Sequence, residues 1–421
     1  MSDQLNTKPK IKIELKIFFV IVALTGLAMG LSDSVISNFF KDAYDVTAEQ
    51  RGFLEFPREL PGVFCFLVVA FAASLGDVRL AIISQIFATI GAVVLGLFTP
   101  AFGVMALFIF IHSLGQHLYI PLQDGIGLSI IGNKDVGKRV GQYSGIRTAT
   151  AMVASIIIFF GFRTGVFSFT GEIKLPFLLG TIGFIGIIIL YIILYSKYKV
   201  HGQPREKKFK IVIRKEYRLY YVLAIMVGVH RQIMVVYGPW VLIEILSRGA
   251  DTMALLGVIG SFIGIFMMPA IGRAADRFGP KVILFTEGIL FIFVYVAFGF
   301  LSDAFSSGTL AMVGIPVLIA YGLFIFERLT MQMGMARTMY LKSIAVDPAD
   351  ITPTLSTGLG MDHVISIVCA YLGGLLWGNF GPQYVFFIAA AFSLVNVVAA
   401  LLIKGPMIAP MKIASQGDSA A

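Results

Sequence analysis

Apolar residues fill this chain in long blocks, and polar residues gather in short stretches between them. A helix that crosses a bilayer needs about 20 mostly apolar residues. Twelve blocks reach that length, at about 17–40, 50–74, 79–99, 102–126, 144–168, 175–196, 217–245, 254–274, 281–302, 309–336, 353–377 and 382–403. Most are separated by short turns. The exception is Lys197 to Arg218, KYKVHGQPREKKFKIVIRKEYR, near the middle of the chain. The pattern predicts an all-α polytopic membrane protein with twelve transmembrane helices. A six-helix bundle is expected over 1–196, a basic linker over 197–217, a second six-helix bundle over 218–403 and a tail over 404–421.

Composition supports this class. Hydrophobic residues make up 57% of the 421 residues and charged residues 14%. A soluble globular protein carries about 25% charged residues. The first apolar block runs past Leu31 with no small-residue cleavage site, so a retained span is expected rather than a signal peptide. Cys65 and Cys369 sit in apolar blocks and read as buried hydrophobes. No metal-ligand spacing and no disulfide framework occurs.

The net charge of +9 reflects orientation rather than nucleic-acid binding. With the N-terminus inside, Lys and Arg crowd the N-tail, the inner turns, the linker and the C-tail. Only Lys41, Arg51, Arg163, Lys174 and Arg248 fall outside, and Arg58, Arg147, Arg231 and Arg328 lie within spans. This bias places both termini in the cytoplasm and supports an even number of spans.

Polar groups inside the spans carry the chemistry. A charge at bilayer depth costs roughly 2.5–3.5 kcal/mol on insertion scales, so such groups face a wet cavity or one another. Span 1 holds Asp33. Span 2 opens with LEFPRELPG, holding Arg58 and Glu59, with Glu55 read as marking the outer mouth. Asp33 and Arg58 lie at similar depth on adjacent spans, so an ion pair between them is expected. His112, Gln116, Tyr119 and Gln123 repeat at i, i+4, i+7 and i+11, one face of span 4, with His117 on a neighbouring face. That stripe suits either a cavity wall or interhelical hydrogen bonds. Span 7 contributes His230, Arg231 and Tyr237. Span 10 contributes Glu327, Arg328 and Gln332. Asp362 and His363 sit in span 11, where pairing with Arg231, Arg328 or Arg147 is expected. The imidazoles of His117, His230 and His363 exchange protons near physiological pH, and Asp33 and Asp362 come next as relay groups. The near balance of acids and bases means that some of these groups pair with each other.

The segment GRAADRFGPK, Gly272 to Lys281, joins spans 8 and 9 on the inner side. It resembles the G-x-x-x-D-R-x-G-x-K loop of the major facilitator superfamily. Twelve spans, two halves, a central basic linker and inner termini match that family as well. The resemblance covers essentially the whole chain and implies the two-bundle fold of the family. It also implies a cavity lined by spans 1, 4, 7 and 10, and a gating role for Gly272, Asp276, Arg277 and Gly279. The copy between spans 2 and 3, ASLGDVRLA, keeps Asp77 and Arg79 but loses the spacing and the trailing glycine.

No GxxxxGK[ST] occurs, so nucleotide hydrolysis by this chain is not expected. HExxH, GxSxG and CxxC are absent too, and no enzyme is expected. The reading is a secondary active transporter for a small polar or charged organic solute, proton-coupled and working by alternating access. Alternatives are a multidrug/proton efflux antiporter and, in another class, a transport-inactive receptor or scaffold. A membrane enzyme acting on lipid finds no clustered motif. Expected partners are the solute, protons and the lipid bilayer. No cofactor, metal or nucleic acid is expected, and a monomer in the plasma membrane is.

Overall fold

The computed structural model describes residues 13–131, 136–200, 213–347 and 350–403; most of the predicted linker and the whole predicted tail lie outside that range. Every regular element among the described residues is helical. Ten helical segments are long and apolar enough to cross a membrane. One of them, α10 (Ala250–Ser306), spans 57 residues and is two crossings joined at Gly279. A further crossing, α4 (Glu55–Phe71), is 17 residues long and carries Glu55, Arg58 and Glu59 in its first turns. The twelve predicted crossings are thereby accounted for.

The predicted turn between spans 8 and 9 is reduced to a single residue. Gly279 adopts φ 79° and ψ 161°, a conformation open to glycine and strained for other residues. Pro280 then opens the second arm, where its missing N–H costs no hydrogen bond. Gly272, by contrast, is helical, and its position leaves room for a side chain.

The first crossing is also interrupted. It comprises α1 (Ile13–Asp33) and α2 (Ile36–Tyr44). Ser34 donates to the carbonyl of Gly30 at 2.5 Å, a local bond that competes with the helical ladder at the break. A capping box at Thr47 and Gln50 then starts α3 (Ala48–Phe53). Pro57, which cannot donate to Phe53 four residues earlier, accounts for the break between α3 and α4.

The remaining crossings before the linker are α5 (Asp77–Leu97), α6 (Phe102–Ile131), α7 (Val136–Arg163) and α8 (Leu175–Ser196). After it come α9 (Arg218–Trp240), ending in a π-turn at Val241–Ile245 beyond Pro239, then α10. The next crossing comprises α11 (Ile315–Met331) and α12 (Met335–Ile344), separated by a 3₁₀ turn at Gln332–Gly334. The chain ends with α13 (Ile351–Phe380) and α14 (Pro382–Leu402). Helices on the two sides of the linker meet along two seams: α13 packs on α3 and α4, and α10 packs on α7.

The apolar core divides between the two faces of the molecule. On the face that carries the linker ends, two clusters stay separate. One draws only on earlier helices, including Phe18, Tyr119 and Tyr191. The other draws only on later ones, including Tyr217, Leu284 and Tyr340. On the opposite face a single cluster joins both sets, packing Phe39, Phe40 and Phe177 with Trp240, Phe298 and Phe386. Polar contacts follow the same division. Asn38 donates to the carbonyl of Arg248 at 3.2 Å, and Arg163 lies 3.7 Å from Asp251, both on the joined face. The molecule is therefore sealed on the face away from the linker.

Candidate functional site

Two carboxylates of α4, one turn apart, organise the polar centre. Glu55 is fully buried. Its Oε1 accepts from Arg51 Nη1 at 2.5 Å and from Arg58 Nη1, and its Oε2 accepts from Gln232 Nε2 of α9 at 2.8 Å. Arg51 of α3 and Glu55 and Arg58 of α4 are spaced i, i+4 and i+7, and the short α3–α4 break keeps all three on one side. Arg51 is buried as well, with its guanidinium 5.5 Å from the centroid of Phe40. Glu55 is thus an interior hub, not a group at the outer mouth. The expected Asp33–Arg58 pair gives way to this arrangement, because a carboxylate three residues away on the same helix needs little ordering to reach Arg58.

Glu59 ties α4 to the helices beyond the linker. Its Oε2 lies 3.2 Å from Arg231 Nη2 of α9 and 2.7 Å from His363 Nδ1 of α13. Arg231 also reaches Asp362 Oδ2 at 3.1 Å, so it joins two carboxylates. Of the three arginines expected as partners for Asp362, Arg231 is the one that meets it. Gly62 allows this close approach: a Cβ there would fall 2.6 Å from the His363 ring. His117 of α6 adds a second imidazole, 5.1 Å from His363 between ring centroids, with Nδ1 3.0 Å from Ser113 Oγ.

Ligand atoms of Glu59, His117 and His363 lie within 4.8 Å of one another. Two imidazoles and a carboxylate are a donor set that transition metals accept. Here Arg231 touches the same carboxylate, and its positive charge opposes a bound cation. A chain of protonatable groups is the chemistry that the surroundings favour.

Beside this cluster lies a cavity of about 680 Å³, lined from both sides of the linker. Its charged wall is Asp33, Arg51, Arg58, Arg147, Arg231, Glu327 and Arg328, and Met29, Met234, Met253 and Met331 supply apolar surface. Asp33 ends α1 at the break in the first crossing. Gln116 Nε2 donates to its Oδ1 at 3.2 Å, and His112 Nε2 stands 3.8 Å away.

A model of the Major Facilitator Superfamily matches residues 18–344. The chain belongs to that superfamily. The family is one of membrane transporters and not of enzymes. Solved structures with this fold include the nucleoside transporter NupG, at 12% identity and a TM-score of 0.70, over 93% of this chain and 98% of that one. A peptide transporter of the POT family, in complex with a thioalcohol-conjugated peptide, gives 12% and 0.72 over 92% and 94%. A bacterial homologue of the iron transporter ferroportin gives 14% and 0.67 over 92% and 98%. No curated protein sequence matches the chain.

Within this superfamily fold, the polar stripe of α6 divides in two. His112 and Gln116 reach towards Asp33 at the cavity. Gln123 and Tyr119 instead bond Thr25, at 2.9 and 3.0 Å, and Tyr119 also meets Tyr191 at 3.3 Å. The lower half of the stripe ties helices together and does not line the cavity. His230 also lies away from the cavity and from the relay cluster expected to include it. It is fully buried, stacked on Phe291 at 4.5 Å and Tyr295 at 5.5 Å, with both ring nitrogens unpartnered. Tyr237 donates to the carbonyl of Ala370 and stacks on Trp377, so it fastens α9 to α13. Gln332 falls in the 3₁₀ turn, with its Oε1 unpartnered. Glu327 is buried, and it too makes no ion pair or hydrogen bond among the described residues.

The superfamily motif stands apart from the cavity. Asp276 and Arg277 are exposed on the linker face. Neither makes an ion pair among the described residues, and Arg277 only covers the ring of its neighbour Phe278. In the degraded first copy, Asp77 is buried and Arg79 packs on Tyr195.

Proposed function

We propose that this protein is a secondary active transporter that moves a small polar or charged organic solute by alternating access, coupled to protons. The observation that carries the reading is the cavity itself. It is bounded by helices from both sides of the linker, beside a cluster of protonatable groups that joins them. Residues 1–196 and 218–403 are the two bundles that move, and 197–217 connects them. The positive-inside pattern supports a plasma membrane location with both termini in the cytoplasm. On that orientation, the sealed face is the external one, and the divided core corresponds to an inward-facing state.

Alternating access requires the contacts between bundles to break and reform. Glu59 is suited to couple that step to a proton. Ionised, it holds Arg231 and His363 and so keeps α4 against α9 and α13. Protonated, it loses the charge that attracts Arg231. His117 and His363 provide the route by which a proton reaches it. Asp276 and Arg277 supply the latch on the cytoplasmic side, which is disengaged in this conformation. The methionine surface favours the efflux alternative, since such walls adapt to varied cargo. The arginines set a limit on it, because a cationic drug meets like charge there.

The test begins with a thermal-shift screen of purified protein against a metabolite library. Solutes that stabilise it are then offered to proteoliposomes under an imposed pH gradient. Accumulation that follows the gradient and collapses with a protonophore is the expected result. Accumulation indifferent to the gradient removes proton coupling, and stabilisation without any uptake removes transport.

A further inference from the structure

The arginines of the cavity divide into two kinds. Arg51, Arg58 and Arg231 have carboxylate partners. Arg147 of α7 and Arg328 of α11 have none. Among the described residues neither makes an ion pair, and neither guanidinium donates a hydrogen bond. Arg328 lies over the ring of Phe324, 5.1 Å from its centroid, and is exposed into the cavity. Arg147 is half-buried on the wall formed by the earlier helices. A Cβ at Gly257 would lie 3.8 Å from Ser155 Oγ of α7, which lines the cavity as Arg147 does, and 3.9 Å from Arg328 Nη1. The two walls therefore meet around the same space.

The acids of the cavity do not answer these two cations. Asp33 is engaged by Gln116 and faces His112, and Glu327 is buried beside Arg328 in sequence yet outside ion-pair distance. An unpaired guanidinium at this depth is costly, and transporters keep one where it meets cargo. Its planar fork matches the two oxygens of a carboxylate, phosphate or sulfonate. The surrounding Met29, Met234, Met253 and Met331 suit an organic body attached to that group. The volume is that of a site for a small organic molecule.

We propose that the cavity is an oxyanion site, and that the transported solute is an organic anion engaged by Arg147 and Arg328, one from each bundle. The inference rests on the transport reading of the same cavity. It adds a cargo class, and it gives each bundle one cation with which to hold the cargo while the bundles move.

The test uses the purified full-length protein in nanodiscs of zwitterionic lipid, read by thermal unfolding. Benzoate, glucose 6-phosphate and benzenesulfonate are compared with benzamide, glucose and benzenesulfonamide, and choline serves as the cation. At least one anion should raise the melting temperature saturably, with no response to its neutral counterpart or to choline. Arg147→Gln and Arg328→Gln should each weaken the apparent affinity for that anion at least tenfold. Lys16→Gln, on the exposed surface of α1, should leave it unchanged. Where a glutamine variant does not purify as a single species, Arg147→Lys or Arg328→Lys replaces it; charge without the fork should restore part of the binding. No response to any of the anions, equal response to the neutral counterparts or to choline, or full affinity in both arginine variants overturns the proposal.

Nanodiscs of anionic lipid separate two sources of the oxyanion. If the soluble anion still binds there, a free solute is the ligand. If the lipid alone saturates the site, a headgroup is the ligand and the soluble cargo is overturned. Proteoliposome uptake separates the inference from the reading beneath it. Anion binding without uptake counts against transport alone. Uptake of a neutral or cationic solute, at unchanged rates in both arginine variants, counts against the oxyanion cargo alone.

Discussion

His363 Nδ1 lies 2.7 Å from Glu59 Oε2, so an imidazole that follows the linker and a carboxylate that precedes it share one contact. The same carboxylate oxygen holds Arg231 at 3.2 Å. Breaking the contact between α4 and the helices after the linker and changing the charge on Glu59 are therefore linked events.

Glu59→Gln removes that charge and keeps the size of the side chain. Proton-driven accumulation should fall at least tenfold, while solute exchange across the membrane, which needs no net proton movement, continues. His363→Ala should produce the same split, and the double variant should be little worse than either, because the two residues act as a unit. Wild-type accumulation in Glu59→Gln would end the relay assignment.

Glu55 serves structure more than turnover. It is the carboxylate that Arg51 and Arg58 share in a buried setting, and removing one member of such a set costs about 3–5 kcal/mol. Glu55→Gln should lower the melting temperature in detergent sharply. Arg58→Gln should lower it less, since Arg51 still answers the carboxylate. Equal losses from the two substitutions would show that Glu55 is not the hub.

Length and hydropathy alone located the crossings, because the bilayer sets helix length before any packing is decided. The charge-rich α4 was legible in the same way, as the apolar block at 50–74, and the alternation of sides supported the even count. Partner choice was another matter. Asp362 had three arginines in prospect, and only packing of α13 on α9 selects Arg231. Arg58 went to Glu55 rather than Asp33, since proximity along one helix outweighs similar depth on two. His230 was unreadable for a different reason: α9 is buried on most of its surface, so no amphipathic stripe marks which face turns to the cavity. The hub role of Glu55 had one available signal, the helical spacing of Arg51, Glu55 and Arg58 in the sequence.

The seal on the face away from the linker can be locked. Gly378 of α13 sits against Glu49 of α3, where a Cβ would fall 2.7 Å from Glu49 Oε1. Glu49→Cys and Gly378→Cys together, in a background with Cys65 and Cys369 replaced, should form a disulfide on mild oxidation and stop transport, with recovery on reduction. Continued transport in the oxidised protein would mean that this seam does not open during the cycle.

Asp276 is exposed and makes no ion pair among the described residues, so Asp276→Asn should not destabilise this conformation. On the proposed latch role, the substitution should instead weaken the alternative state. Val235→Cys, on the cavity wall in the same cysteine-free background, reports the balance through its reaction with an impermeant maleimide applied from the linker side. Faster labelling in Asp276→Asn is the expected outcome, and an unchanged rate would remove the latch role.

The division of the apolar core also bears on biosynthesis. Each set of helices has a cluster of its own near the linker face, whereas the cluster on the opposite face requires both sets. A ribosome delivering the chain in order can thus complete the first private cluster before the second set exists. Severing the chain within the linker should leave two fragments, each able to insert and partly consolidate alone. Co-expressed, they should reassemble through the shared face, where Trp240 and Phe40 belong to one core.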